Sequence, residues 1–117
     1  MNLELMRRHT LAFINVNPVS ITFTPRAKNK MPAGGFAWSE GAPREPQTVT
    51  VIETPANPLP TVTLDGVVRT VEMEIVAPWG ALIARHDVFV LQGKDYEVVD
   101  LFYDNGYETR AWVSGRG

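Results

Sequence analysis

The sequence predicts a mainly β protein, a small antiparallel β-barrel of six to seven strands with a short N-terminal helix and one long Pro/Gly-rich loop. Three observations carry this. Residues 19–24 and 68–76 alternate apolar with polar side chains, the period of a half-buried strand. Two turn signals, Gly93-Lys94 and Asn105-Gly106, each sit between strand-like runs. Only one stretch has helical spacing, so the repeated helices of a TIM barrel or a Rossmann fold have no sequence to form from.

In chain order, the helix is expected over residues 3–15, where Leu3, Met6, Thr10, Phe13 and Ile14 recur at near-helical spacing and Arg7, Arg8 and His9 fall mostly elsewhere. Asn15, Asn17 and Pro18 stop it. A helix this short is marginal alone, so its apolar stripe must dock on something. The first strand, residues 19–24, sets Val19, Ile21 and Phe23 on one face and Ser20, Thr22 and Thr24 on the other. Residues 26–47 have no hydropathy period and carry Pro32, Gly34, Gly35, Gly41, Pro43 and Pro46, which reads as a long loop. Strand character returns at residues 48–53, and residues 54–60, with three prolines, read as an extended connector.

The remaining strands are expected at residues 67–76, 87–92, 95–103 and 107–114. Val71, Met73 and Ile75 alternate against Glu72 and Glu74, a buried face against a wet one. Counting outward from Asn105-Gly106, where both residues adopt positive φ easily, sets Val98 opposite Val113 and Val99 opposite Trp112.

Length and charge bound the function. At 117 residues the chain is expected to form one domain over residues 1–117, with about 6–18 kcal/mol of net stability. Eleven Lys and Arg against thirteen Asp and Glu argue against a general nucleic-acid coat. That near-neutrality conceals a division: residues 26–47 sum to +2, whereas residues 85–110 sum to −3. No apolar run exceeds four residues, as at 11–14 and 88–91, which is too short for a membrane span or a secretory leader. Without cysteine there are no disulfides, thiolate nucleophiles or cysteine zinc sites.

Candidates for catalysis are few, and the expectation is that the protein is not an enzyme and uses no metal or cofactor. His86 and Asp87 are neighbours that point to opposite faces of an extended segment, poor geometry for a dyad. His9 lies among arginines on the polar side of the helix, and Glu72 and Glu74 read as the solvated face of a sheet. Pro32-Ala-Gly-Gly35 lacks the spacing and the strand-to-helix setting of a phosphate loop.

The basic loop has two readings. Cations interleaved with Phe36 and Trp38 can hold phosphates and stack bases, as in a small-barrel single-stranded nucleic-acid-binding module. The simpler reading is that the aromatics anchor the loop to the barrel or to a neighbouring subunit. Fixing 22 loop residues costs roughly 1–2 kcal/mol each, more than the net stability of the domain. Unless much of it packs on the barrel, such a loop is expected to be ordered by a partner.

Thr24-Pro25-Arg26, Pro32-Ala33-Gly34-Gly35-Phe36-Ala37-Trp38 and Gly41-Ala42-Pro43-Arg44-Glu45-Pro46-Gln47 resemble tailed-phage head-to-tail stoppers, also called head-closure or head-tail connector proteins, of siphophages that infect actinobacteria. Gly93-Lys94-Asp95-Tyr96-Glu97-Val98-Val99 and Asn105-Gly106-Tyr107-Glu108-Thr109-Arg110-Ala111 extend the resemblance, which leaves out residues 54–66. It implies a barrel assembled into a homo-oligomeric ring, expected twelvefold, at the head-tail junction of the virion, reached from the host cytoplasm during assembly. The implied partners are a portal-side adaptor, a tail terminator or tail tube protein, and packaged double-stranded DNA in the channel. In such rings an inward loop narrows the channel, and Arg26, Lys28, Lys30, Phe36, Trp38 and Arg44 are the residues expected to shape or line it. A tail-completion or terminator protein of the same junction is the alternative within this class.

Overall fold

A computed structural model describes residues 2–53, 60–62 and 68–115. Helix α1 (Leu3–Val16) leads into strands β1 (Val19–Ile21), β2 (Arg26–Lys30), β3 (Phe36–Glu40) and β4 (Gln47–Glu53). Then follow β5 (Pro60–Val62), β6 (Val68–Thr70), β7 (Met73–Pro78), β8 (Val88–Leu91), β9 (Lys94–Phe102) and β10 (Glu108–Gly115). The protein is mainly β, with one short helix. Six strands form one antiparallel sheet in the order β1-β4-β7-β10-β9-β8, which curls until its ends almost meet. Thr24 and Val88 bridge those ends through two backbone hydrogen bonds of 2.9 Å. The barrel expected from the sequence is therefore present, closed at one end of its seam.

Its interior follows the alternation. Ile21, Phe23, Val49, Met73, Ile75, Phe89, Val98, Ala111 and Val113 form one apolar cluster. Phe23 meets Phe89 edge to face at 5.2 Å between ring centroids. Strand β7 buries both faces over Ile75, Val76 and Ala77, because α1 covers its outer side. Under the helix, Thr50 lies opposite Val76 and its hydroxyl donates to the carbonyl of Asn17.

Helix α1 starts at Asn2, whose side-chain oxygen accepts from the N–H of Leu5, and ends one residue beyond the expected boundary, against Asn17 and Pro18. Its docked face is Met6, Arg7, Thr10 and Ile14 rather than the purely apolar stripe. The apolar spacing sets Arg7 on another face, yet its Nε donates to the carbonyl of Gly106 at 2.8 Å and its guanidinium lies 4.1 Å from the Trp79 ring centroid. Phe13 is half exposed, about 75° around the helix from the centre of the docked face at roughly 100° per residue.

Five other expectations need correction. Residues 26–47 are not one irregular loop, because β2 and β3 pair within them as a hairpin. The strand expected at 67–76 is split into β6 and β7, with β6 pairing β5 in a separate two-stranded sheet. The turn after β8 is Gln92-Gly93, both with positive φ, one residue earlier than the sequence suggests. Val98 does face Val113, but a bulge lets Trp112 face Asp100 and leaves Val99 without a cross-strand partner in that ladder. At the last turn only Gly106 takes positive φ; Asn105 instead accepts the N–H groups of Tyr107 and Glu108 on its side-chain oxygen. The connector expected at residues 54–60 lies, apart from Pro60, outside the described residues.

Candidate functional site

The six residues singled out in the sequence all lie on or beside the β2–β3 hairpin. Lys28 pairs with Trp38 and Lys30 with Phe36 across the ladder, while Arg26 pairs with Glu40. Side chains alternate across a strand, so Arg26, Lys28, Lys30, Phe36, Trp38 and Glu40 share one face, and the other carries Ala27, Asn29, Ala37 and Ser39. Asn29 donates to the Ser39 hydroxyl on that second face at 2.6 Å. The period of two that marks these strands is one of charge against small residues rather than of hydropathy. Arg44 lies apart, on the segment returning to β4.

The turn is built by its sequence. Gly34 N–H donates to Met31 C=O and Met31 N–H to Gly35 C=O, each at 3.0 Å, with Pro32 following Met31 and positive φ at Gly34 and Gly35. A Cβ at either glycine would meet nothing within 4 Å, so backbone conformation alone favours glycine there.

At its base the hairpin is tied to the barrel by charge. Arg26 Nη2 lies 3.8 Å from Glu97 Oε2, and both side chains are nearly buried. The Arg26 guanidinium also sits 4.5 Å from the Trp38 ring centroid, and Trp38 in turn packs on the His86 ring at 4.8 Å. His86 Nδ1 is 3.3 Å from the same Glu97 oxygen. Arg44 Nη1 pairs with Asp87 Oδ2, an oxygen that also accepts the Ala84 N–H at 2.8 Å. Backbone bonds from Gly41 N–H to Pro25 C=O and from Arg44 N–H to Phe23 C=O complete the attachment.

His86 and Asp87 thus occupy a tight turn ahead of β8, with His86 at φ 74°. A non-glycine residue there costs of order 1–3 kcal/mol and persists only where its surroundings hold it. Here it aims the imidazole at Trp38 and the neighbouring carboxylate at Arg44. The sequence reading places the two on an extended segment, whereas the backbone turns there, and it misses that they, with Glu97, receive the hairpin. Glu97 is one of three acids in β9, with Asp95 and Asp100, and nothing local distinguishes it from a solvated one.

The distal half of the hairpin differs. Phe36 is 63% exposed, and Lys28 Nζ lies 4.8 Å from its ring centroid. Neither Lys28 nor Lys30 has an ion partner among the described residues. The two sequence readings therefore divide between the two aromatics: Trp38 anchors, whereas Phe36 stands in solvent beside free cations.

Elsewhere the charged groups act structurally. Arg110 bridges Glu108 at 2.7 Å and Glu74 at 2.5 Å, and these bonds raise its pKa from the ordinary arginine value, Glu108 contributing most. Arg85 is held by Asp100 beside a cleft of about 640 Å³ lined by Trp79, Ile83, Leu101 and Tyr103. Among the described residues, no group of three or more His, Asp and Glu is placed to hold a metal ion.

Compared with known proteins, the chain matches no family model and no curated protein.

Proposed function

We propose that this protein is a structural component of the head-tail junction of a tailed phage, a head-to-tail stopper, rather than an enzyme. The observation that carries the reading is the hairpin: a basic arm fixed at its root by Arg26, Trp38 and Arg44, with Lys28, Lys30 and Phe36 standing free at its far end. A barrel ring that narrows a DNA channel needs such a part, firmly rooted and cationic where it nears phosphates. The motifs that carry the family resemblance coincide with its structural determinants. Thr24 bridges the barrel seam, Pro32-Ala-Gly-Gly35 makes the turn, and Arg44 is the second root. In this reading Arg26 and Arg44 hold the arm, while Lys28, Lys30 and Phe36 face the channel. The ring stacks between a portal-side adaptor and a tail protein.

The experiment is to shorten the hairpin by joining position 28, as Lys28→Thr, to its cross-strand partner Trp38 through a two-residue Asn-Gly turn, leaving Arg26, Trp38 and Arg44 in place. Capsids should fill with DNA but lose it before tails attach. Wild-type retention and infectivity in that variant would remove the stopper reading, as would absence of the chain from the neck in electron micrographs of virions.

The exposed pairing of Phe36 with Lys28 favours one second reading, a module that takes single-stranded nucleic acid along the arm. It requires salt-dependent oligonucleotide binding by the isolated chain at micromolar concentration, which titration at two ionic strengths decides.

A further inference from the structure

We propose that the open part of the barrel seam receives strand β2 of a second copy's hairpin, so that copies join head to tail through β-strand addition. This deepens the ring reading above and rests on its self-association, not on any role in a phage.

The seam is unfinished. Beyond the Thr24–Val88 bridge, β8 pairs only with β9 and β1 only with β4 among the described residues. In an antiparallel strand, alternate residues send both backbone groups to the same side. Val88 sends its N–H and C=O across the seam, so Val90 does too, and by the same rule Thr22 faces back from the other side. Between them lies a cleft of about 480 Å³ lined by Ser20, Thr22, Thr24, Val90, Glu40 and Asp95. Val90 is 64% exposed on this edge, a flat apolar residue beside unpaired backbone. Protected edges normally carry cations or prolines or are covered, and this one is flanked by two acids instead. Neither Glu40 nor Asp95 has an ion partner among the described residues.

The chain itself carries the complement. Strand β2 belongs to a two-stranded sheet, so one of its edges is free, and it presents Lys28 and Lys30 without ion partners among the described residues. Opposite charge on the two surfaces selects this strand over others. A molecule cannot fill its own seam in this way, because its hairpin leaves from the bridged end and is held there by Arg26 on Glu97 and Trp38 on His86. Strand β2 and the seam are different surfaces, so the contact is heterologous and closes as a ring or continues as a filament according to its rotation.

The absence of cysteine gives a direct test. Two single variants of the full chain, Met31→Cys at the hairpin end and Val90→Cys on the seam, are mixed in equal amounts at low salt and oxidised. Random encounter gives mixed and like pairs in equal total amount. The proposal expects the mixed disulfide, which joins position 31 of one copy to position 90 of another, to exceed both like pairs together at least fivefold. That excess should fall towards the random ratio at 1 M salt, where screening acts over about 3 Å. Adding Lys28→Glu and Lys30→Glu to the hairpin-bearing partner should abolish the excess, and Asp95→Lys in the seam-bearing partner should restore it. A random ratio overturns the proposal. So does an excess of Val90→Cys like pairs, which would mean that two seams pair with each other, or of Met31→Cys like pairs, which would mean that hairpin ends meet. Rings seen in virions without the mixed disulfide leave the stopper reading standing and remove this contact. The mixed disulfide in a chain absent from virions does the reverse.

Discussion

The barrel and its hairpin are held by different forces. Inside the barrel, Phe23, Ile75, Val98 and Val113 exclude water from one another, and removing apolar area from solvent is worth roughly 25 cal/mol per Å² whatever the ionic strength. The hairpin has almost no such area. Its root rests on two ion pairs and the tilted contact between the Trp38 and His86 rings, and its far end on the backbone ladder with the Asn29–Ser39 hydrogen bond and the Lys28–Phe36 contact. The lesson is that one region can be altered while the other persists. The proposed stopper role would require such a rigid base with a separately tuned arm.

The sharpest way to break both regions together is Phe23→Ala. The ring is fully buried against Phe89, and its backbone carbonyl accepts the Arg44 N–H at the hairpin root. Truncation should cost about 3–5 kcal/mol in chemical denaturation, with hairpin and barrel signals lost in one transition.

Arg44→Ala should come next, at about 3 kcal/mol, because it leaves the buried Asp87 carboxylate with the Ala84 N–H as its remaining hydrogen-bond donor. Replacing both partners, Arg44→Met with Asp87→Leu, should cost less than the single change, since no charge is left uncompensated. A double-mutant cycle measured by denaturation checks this, and additive losses would mean that the pair is not coupled.

Trp38→Ala separates the regions. It removes the contact with His86 and the cation-π contact with Arg26 at the surface of the barrel, worth about 1–2 kcal/mol together. Hydrogen exchange should rise in β2 and β3 while the β7, β9 and β10 amides stay protected. Equal loss of protection in the barrel would contradict the division of forces.

The same contrast explains what the sequence shows and what it hides. The barrel is legible because burial writes a period of two into hydropathy, as at Val71, Met73 and Ile75, and because glycine marks its turns. The bulge at Val99 is not, since adjacent valines satisfy either register equally well. In the hairpin the same period is written in charge, with Arg26, Lys28 and Lys30 alternating with Ala27 and Asn29, and a reading of hydropathy takes it for a loop. The candidate residues themselves are visible as basic and aromatic types. Their division into anchors and free groups is not, because the partners Asp87 and Glu97 lie 43 and 71 positions along the chain from Arg44 and Arg26, where no local pattern ties them together. Arg7 shows a related limit: its place on the helix wheel is readable, but the Trp79 ring and the Gly106 carbonyl that make it an inward residue are set by tertiary packing.

The smallest expected effect tests the far end of the arm alone. Gly34 has φ 93° with open space where a Cβ would sit, so Gly34→Ala introduces no clash and changes only backbone preference. An L-residue in that conformation loses about 1 kcal/mol, and the loss falls on a turn that touches no part of the barrel core. Global denaturation should therefore move little, while exchange of the Gly34 and Met31 amides, which close the turn, should quicken several-fold. If the barrel melts measurably earlier instead, the hairpin end is coupled to the core more tightly than its contacts allow. An arm so coupled could not respond separately from the barrel.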